Sequence, residues 1–323
     1  MAPMKKEKTP PFLVTGGSGM VGDAMKRHLP KAAYPTRKEL DLSDPLVTRR
    51  ELDNGNWDNG PRFSGVFHLA AKVGGIKSNF EQMGDFFTEN LLINTNLLKS
   101  CMLSDIPKVV SLLSTCIYPD IVRYPITEEQ LHSGPPHPTN YGYSYAKRML
   151  EVQSRAYREQ YGCNFVCAVP NNLDGENDNF DLENGHAMPS LIRKIWEAKK
   201  ENKPSVEVWG DGSPLREFTY SGDIAKILLF LMENYDDAQP VNIGNTEEHS
   251  IKEIVIMLCK IFEYDGKIKW NLDKPIGQHR KSTSNKRLLS LGWKEEDYTS
   301  LEDGLRKTCG WFVENYPNVR GMK

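Results

Sequence analysis

Tyr143 and Lys147 stand four positions apart in the stretch Asn140–Met149, NYGYSYAKRM, which holds good helix formers and no proline. On a helix, residues i and i+4 share a face, so the phenol and the ammonium converge on one small volume. An ammonium held beside a phenol favours the phenolate and lowers the phenol's pKa. Tyr143 is then a candidate proton donor or acceptor near neutral pH. The spacing alone is common by chance, so its meaning rests on the elements that position it.

The first of those elements lies near the start. Phe12-Leu13-Val14-Thr15 is a β-favouring run that leads into Gly16-Gly17-Ser18-Gly19-Met20-Val21-Gly22 and then a helical segment to about Leu29. Strand, glycine-rich turn and helix start together make an anion site. Glycines let the backbone turn sharply and approach a pyrophosphate, and the free N–H groups and helix dipole attract negative charge. A dinucleotide is the expected cofactor. After the weak apolar run Ala32-Ala33-Tyr34 come Pro35-Thr36-Arg37-Lys38, with no acid at the strand tip. An acid there suits the ribose 2′-OH of NAD, whereas positive charge suits the 2′-phosphate of NADP. Arg37, with Lys38 in reserve, therefore favours NADP(H); the competing reading is a solvated basic turn.

Strands and helices then alternate. Val66–Ala71 reads as a buried strand, followed by a long helix over about Asn79–Ser104. Lys108–Leu113 is the next strand, the Tyr143 helix runs to about Tyr161, and Asn164–Val169 is a further strand. This order predicts right-handed crossovers and a Rossmann-type doubly wound parallel α/β sheet. Asn54–Gly65, rich in Asn, Asp and Gly, reads as a loop, and residues 1–10 as a disordered tail. Beyond about Asn171 the character changes. Acidic and amide residues crowd Asn171–Asn184, then Ala187–Lys200 forms an amphipathic helix and Ser205–Trp209 a short strand. Phe218–Tyr235 and Pro240–Gly244 read as a return to the first lobe, and mostly helices follow from Ser250 to Tyr316. The expected division is 11–170 plus 216–245 for the cofactor, and 171–215 plus 246–323 for a second, smaller α/β substrate lobe.

With 323 residues, 39% hydrophobic content and a net charge of −2, the chain can bury a sizeable core and gives no reason to expect nucleic acid or a membrane as partner. Its six cysteines are dispersed without paired metal spacing, which suits a reducing, cytoplasmic setting and no metal. The strand ending at Leu113 delivers Ser114-Thr115-Cys116-Ile117-Tyr118-Pro119 to the sheet's carboxyl edge, where ligands of such sheets bind. Ser114 either polarises a substrate carbonyl or caps a turn. Cys116 either removes a proton beside a ketone as a thiolate or packs as a small hydrophobe.

These pieces resemble the GDP-L-fucose synthase family of extended short-chain dehydrogenase/reductases over nearly the whole chain. The matching motifs are Thr15–Gly22, His68–Ile76 (HLAAKVGGI), Ser114–Pro119, Asn140–Arg148, Gly185–Pro189 (GHAMP) and Val208–Phe218 (VWGDGSPLREF). The first and fourth are shared across the superfamily; Lys72–Ile76, Cys116 two residues after Ser114, and His186 before Met-Pro are more specific. The resemblance implies epimerisation of GDP-4-keto-6-deoxy-D-mannose at C3 and C5, then reduction at C4 with NADPH. It implies Cys116 as the base and His186 as the acid returning protons on the opposite face. Without the resemblance, His186 reads as a surface loop histidine. Tyr143 would protonate the C4 oxygen, Ser114 would hydrogen-bond it, and Lys147 would bind the nicotinamide ribose. Asp41-Leu42 resembles the pair flanking adenine, and Asn172 keeps the family pattern near the nicotinamide. Trp209 and Arg216 are the expected GDP contacts, with Lys194 and Lys281 either assisting or solvated. A homodimer through the Asn79–Ser104 and Tyr143 helices is implied as well.

The chain also departs from the family. Where relatives carry an aromatic-Gly-Pro-His-Asp-Asn-Phe run, it has Asp174-Gly175-Glu176-Asn177-Asp178-Asn179-Phe180, and Ile276 replaces a common acid. Two other readings remain open from sequence: a single-function GDP-sugar 4-reductase or epimerase, and a non-catalytic NADP-binding sensor.

Overall fold

Short runs of β-branched and aromatic residues build a central sheet whose two faces are both covered. A computed structural model describes residues 11–53, 63–273 and 279–322. The tail 1–10, most of the expected Asn54–Gly65 loop and Ile276 lie outside the described residues. The first half runs β1 (Phe12–Thr15), α1 (Met20–His28), α2 (Pro45–Asp53), β2 (Gly65–His68), α3 (Ile76–Glu81), α4 (Met83–Leu103), β3 (Val109–Leu112), α5 (Tyr141–Tyr161) and β4 (Phe165–Val169). The second runs β5 (Asn172–Asp174), α6 (Ala187–Lys200), β6 (Ser205–Trp209), β7 (Leu215–Tyr220), α7 (Ser221–Asn234), β8 (Val241–Asn242), β9 (Glu248–Ser250), α8 (Ile251–Ile261), β10 (Lys267–Asn271), α9 (Lys286–Ser290) and α10 (Leu301–Asn315).

The main sheet is parallel throughout, in the order β1-β2-β3-β4-β8. The weak apolar run at Ala33 reaches β1 only as a bridge, on the side opposite β2. Strand order therefore reverses at β1, which opens a crevice at the carboxyl ends there. Side chains alternate across the strands with period two. Leu13, Val66, Val109 and Cys167 face one core with Leu97, Leu98 and Leu150 of α4 and α5. Val14, Phe67, Val110 and Val166 face the other, with Met25 of α1 and Ile224 and Leu228 of α7. The fold is the expected doubly wound α/β architecture.

A second core gathers Phe180, Ile192, Ile195, Val208, Leu258, Leu305 and Phe312 between α6, α8 and α10. Ser250 opens α8 with a capping box, its Oγ accepting from Glu253 N–H while Glu253 accepts from Ser250 N–H at 2.7 Å. Two smaller sheets accompany this core: β6 with β10 in parallel, and β7 between β5 and antiparallel β9. Between β10 and α10 the chain crosses back, since Leu288 of α9 is buried against the α7 side of the main sheet.

Three local expectations need correction. The long helix over Asn79–Ser104 is two helices, because Gln82 leaves helical geometry at φ −117° and turns the chain between α3 and α4. The strand expected over Val66–Ala71 pairs only to His68; beyond it the backbone N–H groups of Leu69 and Ala70 turn back to Thr15 Oγ1. The tail after Ser250 is less helical than expected, since Lys267–Asn271 pairs with β6 and turns Ile268 and Trp270 onto the second core. Among the described residues, no helix is long and apolar enough to cross a membrane.

Candidate active site

The glycine-rich turn sits at the crevice beside β1. Gly16 has φ +72°, and a Cβ there would lie 2.8 Å from the Ala70 nitrogen, so only glycine fits. A Cβ on Gly22 would drive into the Gly16 carbonyl, so helix and turn pack backbone to backbone. Gly17, Ser18 and Gly19 bring the chain round, and Gly19 caps α1 without a side-chain capping bond. Met20 and Val21 begin the helix, with Val21 in the core. Such a cradle fits a pyrophosphate. Arg37 is exposed beside the mouth, its Nη1 3.6 Å from Glu89. Asp41 is held by Ser43, which donates from Oγ (2.6 Å) and N–H (3.0 Å) and keeps the carboxyl below its ordinary range. Leu42 packs on the α4 side of the sheet at 6% exposure.

Beyond the carboxyl end of β3, Ser114 caps a short turn, accepting from Cys116 N–H at 3.4 Å and from the Cys116 thiol at 2.9 Å. With Oγ occupied as an acceptor, the single Ser114 proton is left for another partner. From α5, Lys147 reaches the same edge and donates to the Leu112 carbonyl at 2.7 Å. It is 2% exposed, and burial lowers its pKa to about 8, against an opposing pull from Cys116. Tyr143 lies between α5 and Phe86, ring edge to ring face. Burial raises its pKa well above 10, and negative charge on Cys116 adds to that. The expectation of a phenol depressed by Lys147 is therefore corrected: the ammonium is engaged with the strand, and desolvation dominates. The phenol keeps its proton at neutral pH.

Behind Lys147 lies a residue to which motif reading gave no role. His68 is fully buried at the end of β2, bonded through Nδ1 to Thr15 Oγ1 and through Nε2 to Asn94 Oδ1, each at 3.0 Å. Burial and the Lys147 charge push its pKa down to about 3, so it stays neutral and does not compete with Lys147 for positive charge. A histidine inside a strand otherwise made of buried apolar residues was the available signal.

His186 is exposed at the N-terminus of α6. Its loop is pinned from the first half of the chain: Gly75 N–H donates to Asn184 O (2.9 Å), and Ser78 Oγ donates to Asn184 Oδ1 (2.9 Å). A Cβ on Gly75 would sit 2.6 Å from Gly185 O, which explains the glycine in the Lys72–Ile76 motif. The buried Asp178 is its electrostatic partner. The family-divergent stretch has partners too. Asn177 Nδ2 donates to Ser18 O (3.0 Å), and Glu176 accepts from Tyr220 OH (2.6 Å) and pairs with Arg27 of α1 (3.4 Å). Asp174 is 2% exposed; burial and neighbouring acids raise its pKa to about 7.

The remaining candidates fall into two groups. Lys194 stands over the exposed Trp209 ring, 5.3 Å from its centroid. Arg216, half-buried on β7, donates to Leu215 O at 2.7 Å. Lys281 is separate from the Trp209 pair and lines a small cavity with Cys116, Tyr124 and His137. Burial lowers its pKa, countered by Cys116 and reinforced by Arg216. Asn172 Nδ2 donates to the Glu217 carbonyl at 2.8 Å, tying β5 to β7. The structure thus brings Ser114, Cys116, Tyr143, Lys147 and Lys281 to one edge of the sheet, and leaves His186 on a separate, pinned loop.

Comparison with known proteins agrees with this architecture. Residues 12–244 match the NAD dependent epimerase/dehydratase family. A GDP-L-fucose synthase of Dictyostelium discoideum is 39% identical, over 95% of this chain and 97% of that protein. Another from Sinorhizobium fredii is also 39% identical, over 94% and 95%. A GDP-L-fucose synthetase structure from Naegleria fowleri bound to NADP superposes with a TM-score of 0.87 at 35% identity, covering 96% of each chain. The chain belongs to the NAD dependent epimerase/dehydratase family and, within it, to the GDP-L-fucose synthases.

Proposed function

We propose that this chain converts GDP-4-keto-6-deoxy-D-mannose to GDP-L-fucose, epimerising C3 and C5 and then reducing C4 with NADPH. One observation carries the reading: Ser114, Cys116, Tyr143 and Lys147 share the carboxyl edge of the sheet, where the Cys116 thiol bonds Ser114 at 2.9 Å. The 4-keto group acidifies the neighbouring C–H bonds, so a thiolate at Cys116 removes a proton and leaves an enolate. His186, on its pinned loop, returns a proton to the opposite face, and repetition at the second carbon completes the inversions. Ser114 gives its free proton as a hydrogen bond to the C4 oxygen. Tyr143, held protonated by burial, delivers its proton to that oxygen in the reduction. The nicotinamide, when bound, supplies the hydride. Lys147 holds the nicotinamide ribose and leaves a positive charge beside the reacting phenol.

Gly16–Gly22, Arg37, Asp41, Leu42 and Asn172 are assigned to NADP(H), and Lys194, Trp209, Arg216 and Lys281 to the GDP-sugar. Residues 11–170 with 216–245 form the dinucleotide half, and 171–215 with 246–323 the sugar-nucleotide half, with Leu288 reaching back to the first. A homodimer through α4 and α5 is supported by their exposed apolar side chains, among them Leu92, Met149 and Val152. The test is incubation of the purified protein with GDP-4-keto-6-deoxy-D-mannose and NADPH, NADH in parallel, with products identified by NMR. GDP-L-fucose is the expected product. Consumption of NADPH with C3 and C5 configuration retained would instead make the chain a plain 4-reductase, and no consumption with either cofactor would leave a binding protein.

A further inference from the structure

Lys281 sits on a strap, residues 279–284, that crosses from the second half of the chain to the thiol pocket. Backbone bonds hold it on both sides. Leu215 N–H donates to His279 O at 2.9 Å, Ile126 N–H donates to Ser282 O at 2.8 Å, and Ser284 N–H donates to Ile126 O at 2.9 Å. Tyr124 OH donates to Arg280 O at 2.7 Å, and Arg280 pairs with Glu248 of β9. At the centre of this arrangement is a group used by none of the chemistry above. Glu217 is 1% exposed, and its carboxylate accepts from Thr283 N–H (2.8 Å), Thr283 Oγ1 (2.6 Å) and Asn171 Nδ2 (3.2 Å). Two bonds to one residue fix both the height and the rotation of the strap, two positions from Lys281.

We propose that Glu217 is a positioning residue that pins the strap and so holds the Lys281 ammonium opposite the Cys116 thiol, where it balances the charge of the thiolate. The inference rests on the proposed reading for its chemical purpose: a base that must exist as an anion in a partly buried pocket is served by a fixed counter-charge. The groups facing Cys116 are Lys147 and Tyr143 from α5, Lys281 from the strap, and His137 and Tyr124 from the flanking loops, with Arg216 behind Lys281. Lys147 is occupied by the Leu112 carbonyl, whereas Lys281 is carried on the strap and lines the cavity with Cys116. Raising Glu217 to a pKa of about 7 is the cost of its burial, and the Thr283 and Asn171 donors oppose that rise. A buried acid whose oxygens are taken up by one loop is spent on placing that loop.

The test compares alkylation of Cys116 by iodoacetate and by iodoacetamide, followed by peptide mass spectrometry, with Cys116→Ser as the blank. A cation opposite the thiol favours the anionic reagent. Lys281→Met should lower the iodoacetate-to-iodoacetamide rate ratio roughly threefold to tenfold, as expected for loss of one nearby charge. Glu217→Ala should lower it to a similar degree, and adding Glu217→Ala to Lys281→Met should change nothing more. A Glu217→Ala ratio equal to that of the unmodified chain, or losses that multiply in the double variant, would overturn the proposal. Thr283→Val removes a single hydrogen bond and leaves the strap's backbone bonds in place. It must lower the ratio in the native background and leave it unchanged in Lys281→Met; any other pattern also overturns the proposal, even where Glu217→Ala does not fold. No substrate is needed for this readout, so failure to turn over the GDP-sugar would sink the function and leave the positioning role standing on its own measurement.

Discussion

The cofactor crevice and the thiol pocket lie on the same edge of one sheet and are built from opposite materials. The crevice is main chain: Gly16 needs its positive φ, and Gly22 packs against the turn with no room for a side chain. The pocket is side chain: Ser114 and Cys116 come from the turn after β3, Tyr143 and Lys147 from α5, and Lys281 from the strap. A main-chain site binds a feature common to all dinucleotides, and its cost is fixed in the fold. A side-chain site sets proton affinities one group at a time, so its residues can be changed while the fold persists. Stability and catalysis should therefore separate between the two.

The sharpest way to break that separation is Cys116→Ala. Solvent exchange of the C3 and C5 protons should fall by about 10²–10⁴, with thermal midpoint and NADPH affinity unchanged; exchange at the native rate would remove Cys116 from the base role. Gly22→Val tests the other side. Its side chain meets the Gly16 carbonyl, so the variant should lose NADPH binding and about 2–4 kcal/mol of stability. A stable Gly22→Val protein with native NADPH affinity would show the turn to be less committed than its geometry indicates. A smaller effect concerns pH. Lys147 ordinarily titrates near 10.5 and here at about 8, so between those values the unfolded chain holds a proton that the folded chain has released. Its contribution to stability is thus complete above pH 10.5 and is lost as pH falls through 8. Reduction as proposed runs the other way, with Lys147 acting as the ammonium: the C4 reduction rate should decline above about pH 8, and Lys147→Arg should move that limb upward. A rate flat to pH 10 would show that the charge on Lys147 is dispensable.

Sequence legibility follows the same division. The glycine turn and the Tyr143–Lys147 pair are contiguous or share one helix face, so spacing alone places them, and the alternating strands give the sheet. What joins distant segments is invisible in spacing. His68 looks like one residue of a buried strand until Asn94 and Lys147 are folded against it. Glu217 reads as part of a motif, yet its partners lie 46 and 66 positions away. Lys281 reads as one more cation for the sugar nucleotide, and its place in a cavity with Cys116 shows only once the strap is folded across. The phenol's proton affinity fails for a related reason: charge proximity is legible in a sequence, whereas desolvation depends on everything packed around the ring. Gln82 breaks the helix with no proline beside it, and Gly84 two residues on is the one local sign.

The contact of Gly75 with the Asn184–Gly185 turn joins main chain to main chain, and no rotamer can take up slack in it. Whether a carbon is inverted depends on which side its new proton comes from. With His186 and Cys116 in their proposed roles, that side follows from where the His186 loop stands relative to the Cys116 turn, and the glycine contact helps to fix the loop. One residue inserted on either side of it should yield a sugar of mixed handedness, visible as two epimers in the NMR spectrum of the product. On the proposed function, the configuration of the product is then held by a fixed spacing between two stretches of backbone.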